Sequence, residues 1–379
     1  MRRSEKTPLS GYGAAPVFLL CVLAVLSCTG RDGAVTRYND ADSETVSIGA
    51  VYPSSLWDNE HYLWDALELA VRRINEEGGV LGKPLSLVIR DDRGDSHIAQ
   101  EIAETFSDSG ITAVVGHWNS DVCYYVEDIY EERQIVMISP GATSLALFER
   151  DYHYIYRAIA NNQIYAETLA DYLEAEGFRR PAVYYAEDTY GIDVARMVER
   201  ELAKRRIPVV DRVASVTAAN VGDILRRWRA FGCDSLVLAS SIQYVAEPIR
   251  VIREAGSHLP FFSETFNNAN FQAVMADYME NLYGVMYGRE DMDAVFLADF
   301  RAAHGRSPDT YEVAGYDAVR LLANAMNAEG SITSAAIVHY LRNLRDYPSV
   351  MGRISYNTAA HEFEGWRMRV KPYAEYAGR

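Results

Sequence analysis

Cysteine is scarce in this chain. There are four in 379 residues, and two of them, Cys21 and Cys28, lie at its N-terminal end. The other two, Cys123 and Cys233, sit in apolar helix or strand contexts in different halves of the chain. They read as free, buried thiols, without zinc spacing. Positive charge is also short: 37 Lys and Arg face 53 Asp and Glu, a net charge of −16 with a pI near 5.0. Nucleic acid needs a basic face and is excluded as a partner. The short clusters Arg179-Arg180 and Lys204-Arg205-Arg206 read as solvated helix ends and turns. After residue 28 no apolar run has the length that spans a bilayer. Signatures of catalysis are missing as well. The chain holds no Gly-x-Ser-x-Gly, no phosphate loop ending in Lys-Ser/Thr and no His-Glu-x-x-His. His117 and Ser120 stand three apart on a loop without a third group, which is poor evidence for a nucleophile. Gly78 to Gly82 follows a helix where a dinucleotide fingerprint needs a strand. No catalytic activity, cofactor or metal is expected.

Apolar residues are plentiful. They make up 49% of the chain and aromatics 11%, with 26 tyrosines, which indicates large folded cores. The N-terminus stands apart. Arg2, Arg3 and Lys6 precede the apolar stretch Ala14 to Leu26, which ends at Ser27-Cys28. That layout is an export signal over residues 1–27. Those residues carry a net +2, so the remainder would hold near −18. Residues 28–44, rich in Gly, Asp, Asn and Arg, read as a flexible tether. Beyond them strands and helices alternate twice, from Val46 to Arg157 and from Ile164 to Glu264. Two α/β units with parallel sheets are expected. Helices are then expected over Met292–Phe300 and Tyr311–Ala328, and an alternating ribbon over Met351–Val370.

Ile111 to Thr143 is the most informative stretch. Its two short β-branched runs, Ile111–Val115 and Ile135–Ile138, suit strands covered on both faces. Val122, Val126, Ile129 and Tyr130 mark a helix between them. Each strand is followed by small residues and a hydroxyl, ending at Ser120 and Thr143, at an expected helix start. Two helix N-termini side by side can hold a carboxylate. Capping is the commoner use of such hydroxyls. Their place at the carboxyl ends of neighbouring strands favours a ligand. Tyr52, after the first strand, is a further candidate for the cleft.

Several segments, taken in order, carry a resemblance. They are Ile48-Gly49, Ile74 to Pro84 (INEEGGVLGKP), Asp91-Asp92, Val115-Gly116-His117 with Ser120, and Ile138 to Thr143 (ISPGAT). Tyr190-Gly191, Ala255-Gly256, Tyr316-Asp317-Ala318 and Gly352 to Tyr356 complete the set. Over roughly residues 45 to 360 the chain resembles the type I periplasmic substrate-binding proteins of the branched-chain amino acid (Leu/Ile/Val-binding) ABC transporter family. The resemblance implies an α/β fold of two doubly wound parallel-sheet lobes joined by a three-stranded hinge. Lobe 1 would span 45–158 and 288–347, and lobe 2 would span 159–287 and 348–379. Crossings would fall near Arg157–Asn161, Val285–Arg289 and Tyr347–Ser355. It also implies a carboxylate clamp at Ser120 and Thr143 with backbone groups near Gly141 and Ala142, an aromatic wall at Tyr190, and an acid for the ligand ammonium at Glu264. The bland roles for Tyr190 and Glu264 are surface packing and a strand-end charge. Trp57 and Asn162 complete the expected pocket.

The departures concern the ligand. Where the family has a second acid for the ammonium, Asn161 and Asn162 stand. Ser240 or Ser241 replaces an aromatic expected beyond Ala239, and Trp57, Asp58 and Asn59 fill the first loop. A polar amino acid or a small amide fits such a pocket as well as an aliphatic one. By resemblance, Cys28 would be lipidated, leaving an extracytoplasmic monomer tethered to the membrane and serving an importer permease. The alternative is a ligand-binding sensor feeding a signalling receptor or regulator.

Overall fold

The computed structural model describes residues 37–40, 42–56, 63–148, 150–264, 275–288 and 291–373. The expected signal, the tether as far as residue 36, Cys28 and Trp57 lie outside the described residues. The first sheet is parallel, with strand order β2-β1-β3-β4-β5. Its strands are β1 (Val46–Val51), β2 (Leu85–Arg90), β3 (Ala113–Val115), β4 (Val136–Ser139) and β5 (Ile155–Arg157). Helices α1 (Trp64–Glu76), α2 (Ser96–Asp108) and α3 (Ser120–Glu132) connect the first four strands.

Alternation along these strands builds two cores. Ile48, Ala50, Ala113 and Val115 face one core with α1, whereas Val51 and Val114 face the other with α2 and α3. Every residue of β1 is buried, as expected of a parallel strand covered on both faces.

The second sheet has the order β14-β10-β9-β8-β6-β7. It holds β6 (Pro181–Tyr185), β7 (Asp211–Val213), β8 (Ser235–Ala239), β9 (Phe261–Ser263) and β10 (Leu282–Tyr287), all parallel, with β14 (Met368–Pro372) antiparallel at one edge. Here too neighbours in sequence face opposite ways. Ala182 and Leu236 pack with α6 (Val221–Phe231) and α7 (Ile242–Glu254). Val183 and Val237 pack with α4 (Asn162–Ala175) and α5 (Thr189–Lys204).

The chain then returns to the first lobe through α8 (Ala294–His304), α9 (Thr310–Glu329) and α10 (Ser334–Arg342), whose apolar residues join the core of α1. A capping box, Asp309 with Glu312, starts α9, and Gly330 in the left-handed region ends it.

Three differences from the sequence reading follow from packing. The third crossing, expected near Tyr347–Ser355, lies beyond Trp366. Ile354, Tyr356, Phe363 and Trp366 of the ribbon β11 (Tyr347–Ser349), β12 (Gly352–Asn357) and β13 (Glu362–Glu364) belong to the first-lobe core, with Phe363 stacked on Tyr156. Only β14 joins the second sheet; residues 348–366 add no strand to it, although Trp366 packs with Tyr287 of β10 and Glu362 accepts from Asn161. The expected strand Val209–Val213 is limited to β7, and α10 is a helix that the sequence reading did not mark. Cys123 and Cys233 are both free, but only Cys123 is buried; Cys233 is half-buried. Among the described residues no helix is long and apolar enough to cross a membrane, and no cluster of His, Cys, Asp and Glu has the form of a metal site.

Candidate functional site

A cavity of about 340 Å³ opens where the carboxyl ends of the two sheets face each other. That is where open α/β sheets present their loops. The first lobe contributes Leu56, Arg93, Trp118, Asn119, the first turn of α3 and Gly141. The second contributes Asp188 and Tyr190 after β6, Ser241 and Tyr244 after β8, and Glu264 after β9, while Tyr311 comes from the start of α9.

The first-lobe wall is suited to an anion. Asn119 precedes α3 in extended backbone and its side chain does not cap the helix. The first-turn N–H groups, which no helix can satisfy internally, belong to Ser120, Asp121 and Val122, all of which line the cavity. Ser120 Oγ accepts from the Ser144 amide at 3.4 Å. Thr143 is buried and, against expectation, does not line the cavity; its hydroxyl has no hydrogen-bond partner among the described residues, a costly arrangement that a ligand oxygen reaching it would relieve.

The second expected helix start is different. Only a single 3-10 turn, Leu145–Phe148, follows Thr143, so the first-lobe strands β3 and β4 are followed by one α-helix start at the cleft rather than two. The amides of Gly141 and Ala142 turn to Ser139 Oγ at 3.3 and 2.9 Å, and that hydroxyl donates to the His117 carbonyl at 2.6 Å. Gly141 lines the cavity, whereas Ala142 is fully buried behind it. A Cβ on Gly141 would come within 2.8 Å of the Trp118 ring, so glycine lets the indole lie flat against this loop. His117 holds the turn from below: Nδ1 meets Asp92 Oδ2 at 2.6 Å and Nε2 meets Tyr130 OH at 3.1 Å, all buried.

The second-lobe wall is suited to a cation. Glu264 is 5% exposed, and Tyr190 OH donates to its Oε1 at 2.6 Å. Burial pushes the Glu264 carboxyl up to about 7, against the pull of that hydrogen bond. Burial first, and then the charge of Glu264, hold the Tyr165, Tyr190 and Tyr311 phenols well above their ordinary range. Asp188 caps α5 by accepting from the Gly191 amide at 2.6 Å, so Tyr190 and Gly191 stand in the first turn of a helix and not in a loop.

Other expected residues lie elsewhere. Asn162 is fully buried at the start of α4 and donates to Asp193 Oδ2 at 2.7 Å; it does not line the cavity. Tyr52 is enclosed, with its ring 5.6 Å from that of Trp64 and 5.3 Å from that of Trp118. It therefore supports Trp118, which in turn meets Tyr311 at 4.2 Å.

Trp118 and Tyr311 are site residues that the sequence reading passed over. Tyr311 stands inside the capping box, between Asp309 and Glu312, and its neighbours at spacings of three and four mark a core face, which hid it. Ser241 lines the cavity beyond Ala239, and so does Tyr244, one helical turn on and half exposed, an aromatic that the sequence reading did not name.

Comparison with known proteins gives a consistent picture. A family model described as periplasmic binding protein matches residues 45–368. The leucine-specific-binding protein of Salmonella typhimurium is 28% identical over 350 residues, covering 90% of this chain and 89% of that protein. The crystal structure of an ABC transporter substrate-binding protein from Desulfitobacterium hafniense, in complex with Leu, is 31% identical and superposes with a TM-score of 0.78, covering 86% of this chain and 97% of that one. A branched-chain amino acid transporter substrate-binding protein from Streptococcus pneumoniae, in complex with isoleucine, shares the fold at 21% identity and a TM-score of 0.76, covering 86% of this chain and 99% of that one. With two facing lobes, a cleft at their strand ends and a family match along nearly all of the described residues, this chain belongs to the periplasmic binding protein family.

Proposed function

We propose that the protein is the extracytoplasmic receptor of an ABC importer and that it captures an α-amino acid in the cleft between its lobes. The observation that carries the reading is the pairing of opposite chemistries across one cavity. The uncapped helix start at Ser120 lines the cavity from one lobe, with the Thr143 hydroxyl buried on the same lobe, and buried Glu264 lines it from the other. A carboxylate at the first and an ammonium at the second would each meet a compensating group, which burial of a charge requires. Gly141 gives the ligand room beside Trp118, and Tyr190, Tyr244 and Tyr311 wall the side chain. Closure then follows from contacts that form only when both lobes touch the ligand.

The relatives that name leucine and isoleucine make these the first probes. Ser241, Asp188 and Arg93 in the lining keep polar amino acids and small amides in the screen. The mature protein should melt higher with its ligand, by a margin equivalent to about 2.7 kcal/mol at a hundredfold excess over Kd. The double variant Ser120→Ala, Thr143→Ala should lose most of that margin. A full set of amino acids and amides without any shift would overturn the reading.

The permease as partner and the membrane tether through Cys28 belong to the same proposal. Release of the protein from membranes by Cys28→Ala, with an unlipidated N-terminus by mass spectrometry, tests the tether.

A further inference from the structure

A ring of polar contacts runs behind the cleft, and its members are not cleft-lining residues. Arg157 ends β5 with its side chain buried. Its Nη1 donates to the carbonyls of Ala142 and Ser144 at 3.3 and 2.9 Å, and its Nη2 donates to Glu362 on β13. The other oxygen of Glu362 accepts from Asn161 Nδ2 at 2.6 Å. Asn161 caps α4, the first helix of the second lobe. The next residue, Asn162, donates its amide to the Thr143 carbonyl at 2.9 Å and its Nδ2 to Asp193 Oδ2 at 2.7 Å.

Asp193 closes the ring. It stands on α5, one residue past the first turn that carries Tyr190, and its Oδ2 also accepts from the Leu145 amide at 3.2 Å. That bond joins the two lobes directly. The carboxylate of Asp193 also adds to the favourable field at buried Arg157. The segment Ala142–Leu145, which carries the unpartnered Thr143 hydroxyl, is therefore gripped from two sides. The grip by Arg157 comes from within the first lobe and needs no closure. The grip by Asp193 exists only while the lobes touch.

We propose that Asp193 is a positioning residue for ligand retention. It pins the Ala142–Leu145 segment to the second lobe on closure, adding in the closed form to the hold that Arg157 already gives from within the first lobe. The inference rests on the amino-acid reading of the cleft for its ligand arm, and on the ring alone for its second arm. Opening must break a hydrogen bond to a charged acceptor, so removing the acceptor speeds opening and leaves the encounter with the open form unchanged.

The test uses the mature protein with Asp193→Ala and Asp193→Asn, with leucine as the probe. Stopped-flow binding should show the dissociation rate raised by about tenfold in the alanine variant, with the association rate within about twofold of wild type. The asparagine variant, which keeps one acceptor oxygen but loses the charge, should fall between the two. Ligand-free protein samples the closed form for part of the time and makes the Asp193 bond then, so hydrogen exchange of the peptide spanning 142–148 should be faster in Asp193→Ala, with the unfolding midpoint within a degree or two of wild type.

A purely structural role would lower the midpoint and slow association together. Unchanged dissociation with unchanged exchange overturns the proposal. If leucine binds neither wild type nor variants, the ligand assignment fails, and the exchange measurement alone decides on the ring. If the alanine variant does not fold, the asparagine variant carries both measurements.

Discussion

Glu264 sits where water hardly reaches, and its carboxyl is pushed up to about 7 by burial. A ligand ammonium beside it would pull that value back down, because an opposite charge favours the ionised form. Below pH 7 the empty site holds a proton that the ligand must expel; above pH 7 there is none to expel. The expected outcome is a Kd that is flat above pH 7 and rises toward about tenfold per pH unit below it. Calorimetry in two buffers of different ionisation enthalpy should detect the released proton on the acid side. Glu264→Gln should abolish the slope and weaken binding by on the order of a hundredfold, since the ammonium loses its buried counter-charge. A slope that survives in the glutamine variant would place the counter-charge elsewhere. Tyr190 adds to the same argument. Its hydroxyl donates to the carboxylate, so Tyr190→Phe should raise the Glu264 value and shift the break in the curve to higher pH.

At the scale of elements, β14 is a test of how the second lobe is completed. It pairs antiparallel with β10 from Tyr283↔Pro372 to Tyr287↔Met368, and Tyr373 just beyond it is fully buried. Ending the chain after Trp366 leaves β10 as an unpaired edge and opens the core under Tyr373. Hydrogen exchange should then show β10 unprotected while β1 and β3 stay protected. Equal loss in both sheets would mean that the lobes do not fold independently.

The strand–helix alternation of both units could be read from the chain because buried parallel strands are short apolar runs and their helices repeat at three and four. Ser120 and Gly141 could be read because they stand in the loops after such runs, whereas Tyr190 and Glu264 were legible only through the family resemblance. The third crossing could not. Residues 351–370 alternate without a break, and nothing local says that Ile354 and Tyr356 cover the first core while Val370 covers the second. Asn162 misled for a related reason: it stands just past the first crossing, but its amide faces Asp193, a residue 31 positions away. Trp118 and Tyr311 were hidden because an aromatic on a core face and an aromatic on a cleft wall look alike in sequence.

For the molecule as a whole, affinity and stability should respond to pH in opposite directions. Burial raises Asp317, in α9, to about 7 as well, despite the Val350 amide donating to its two oxygens at 3.0 and 3.2 Å. In an unfolded chain Glu264 and Asp317 would titrate near 4.3 and 3.9. Between about pH 4 and pH 7 the folded protein thus keeps protons that the unfolded chain has lost, and its stability falls as pH rises through that window. Glu201 does not disturb the window. Its burial, which alone would raise it, is outweighed by hydrogen bonds from Lys204, Gln163 and Arg205, which hold it at about 2, so its contribution is complete above about pH 4.5. Scanning calorimetry should show the ligand-free midpoint falling from pH 5 to pH 7 and on toward pH 8, where Glu127, pushed up to about 8 by burial, adds to the fall. Asp317→Asn should remove part of that fall without touching the ligand. With the ligand bound, its ammonium keeps Glu264 ionised, so that group no longer contributes to the fall. The midpoint shift caused by ligand should therefore widen from pH 5 to pH 7. A shift constant across that range would mean that the ligand brings no cation to Glu264.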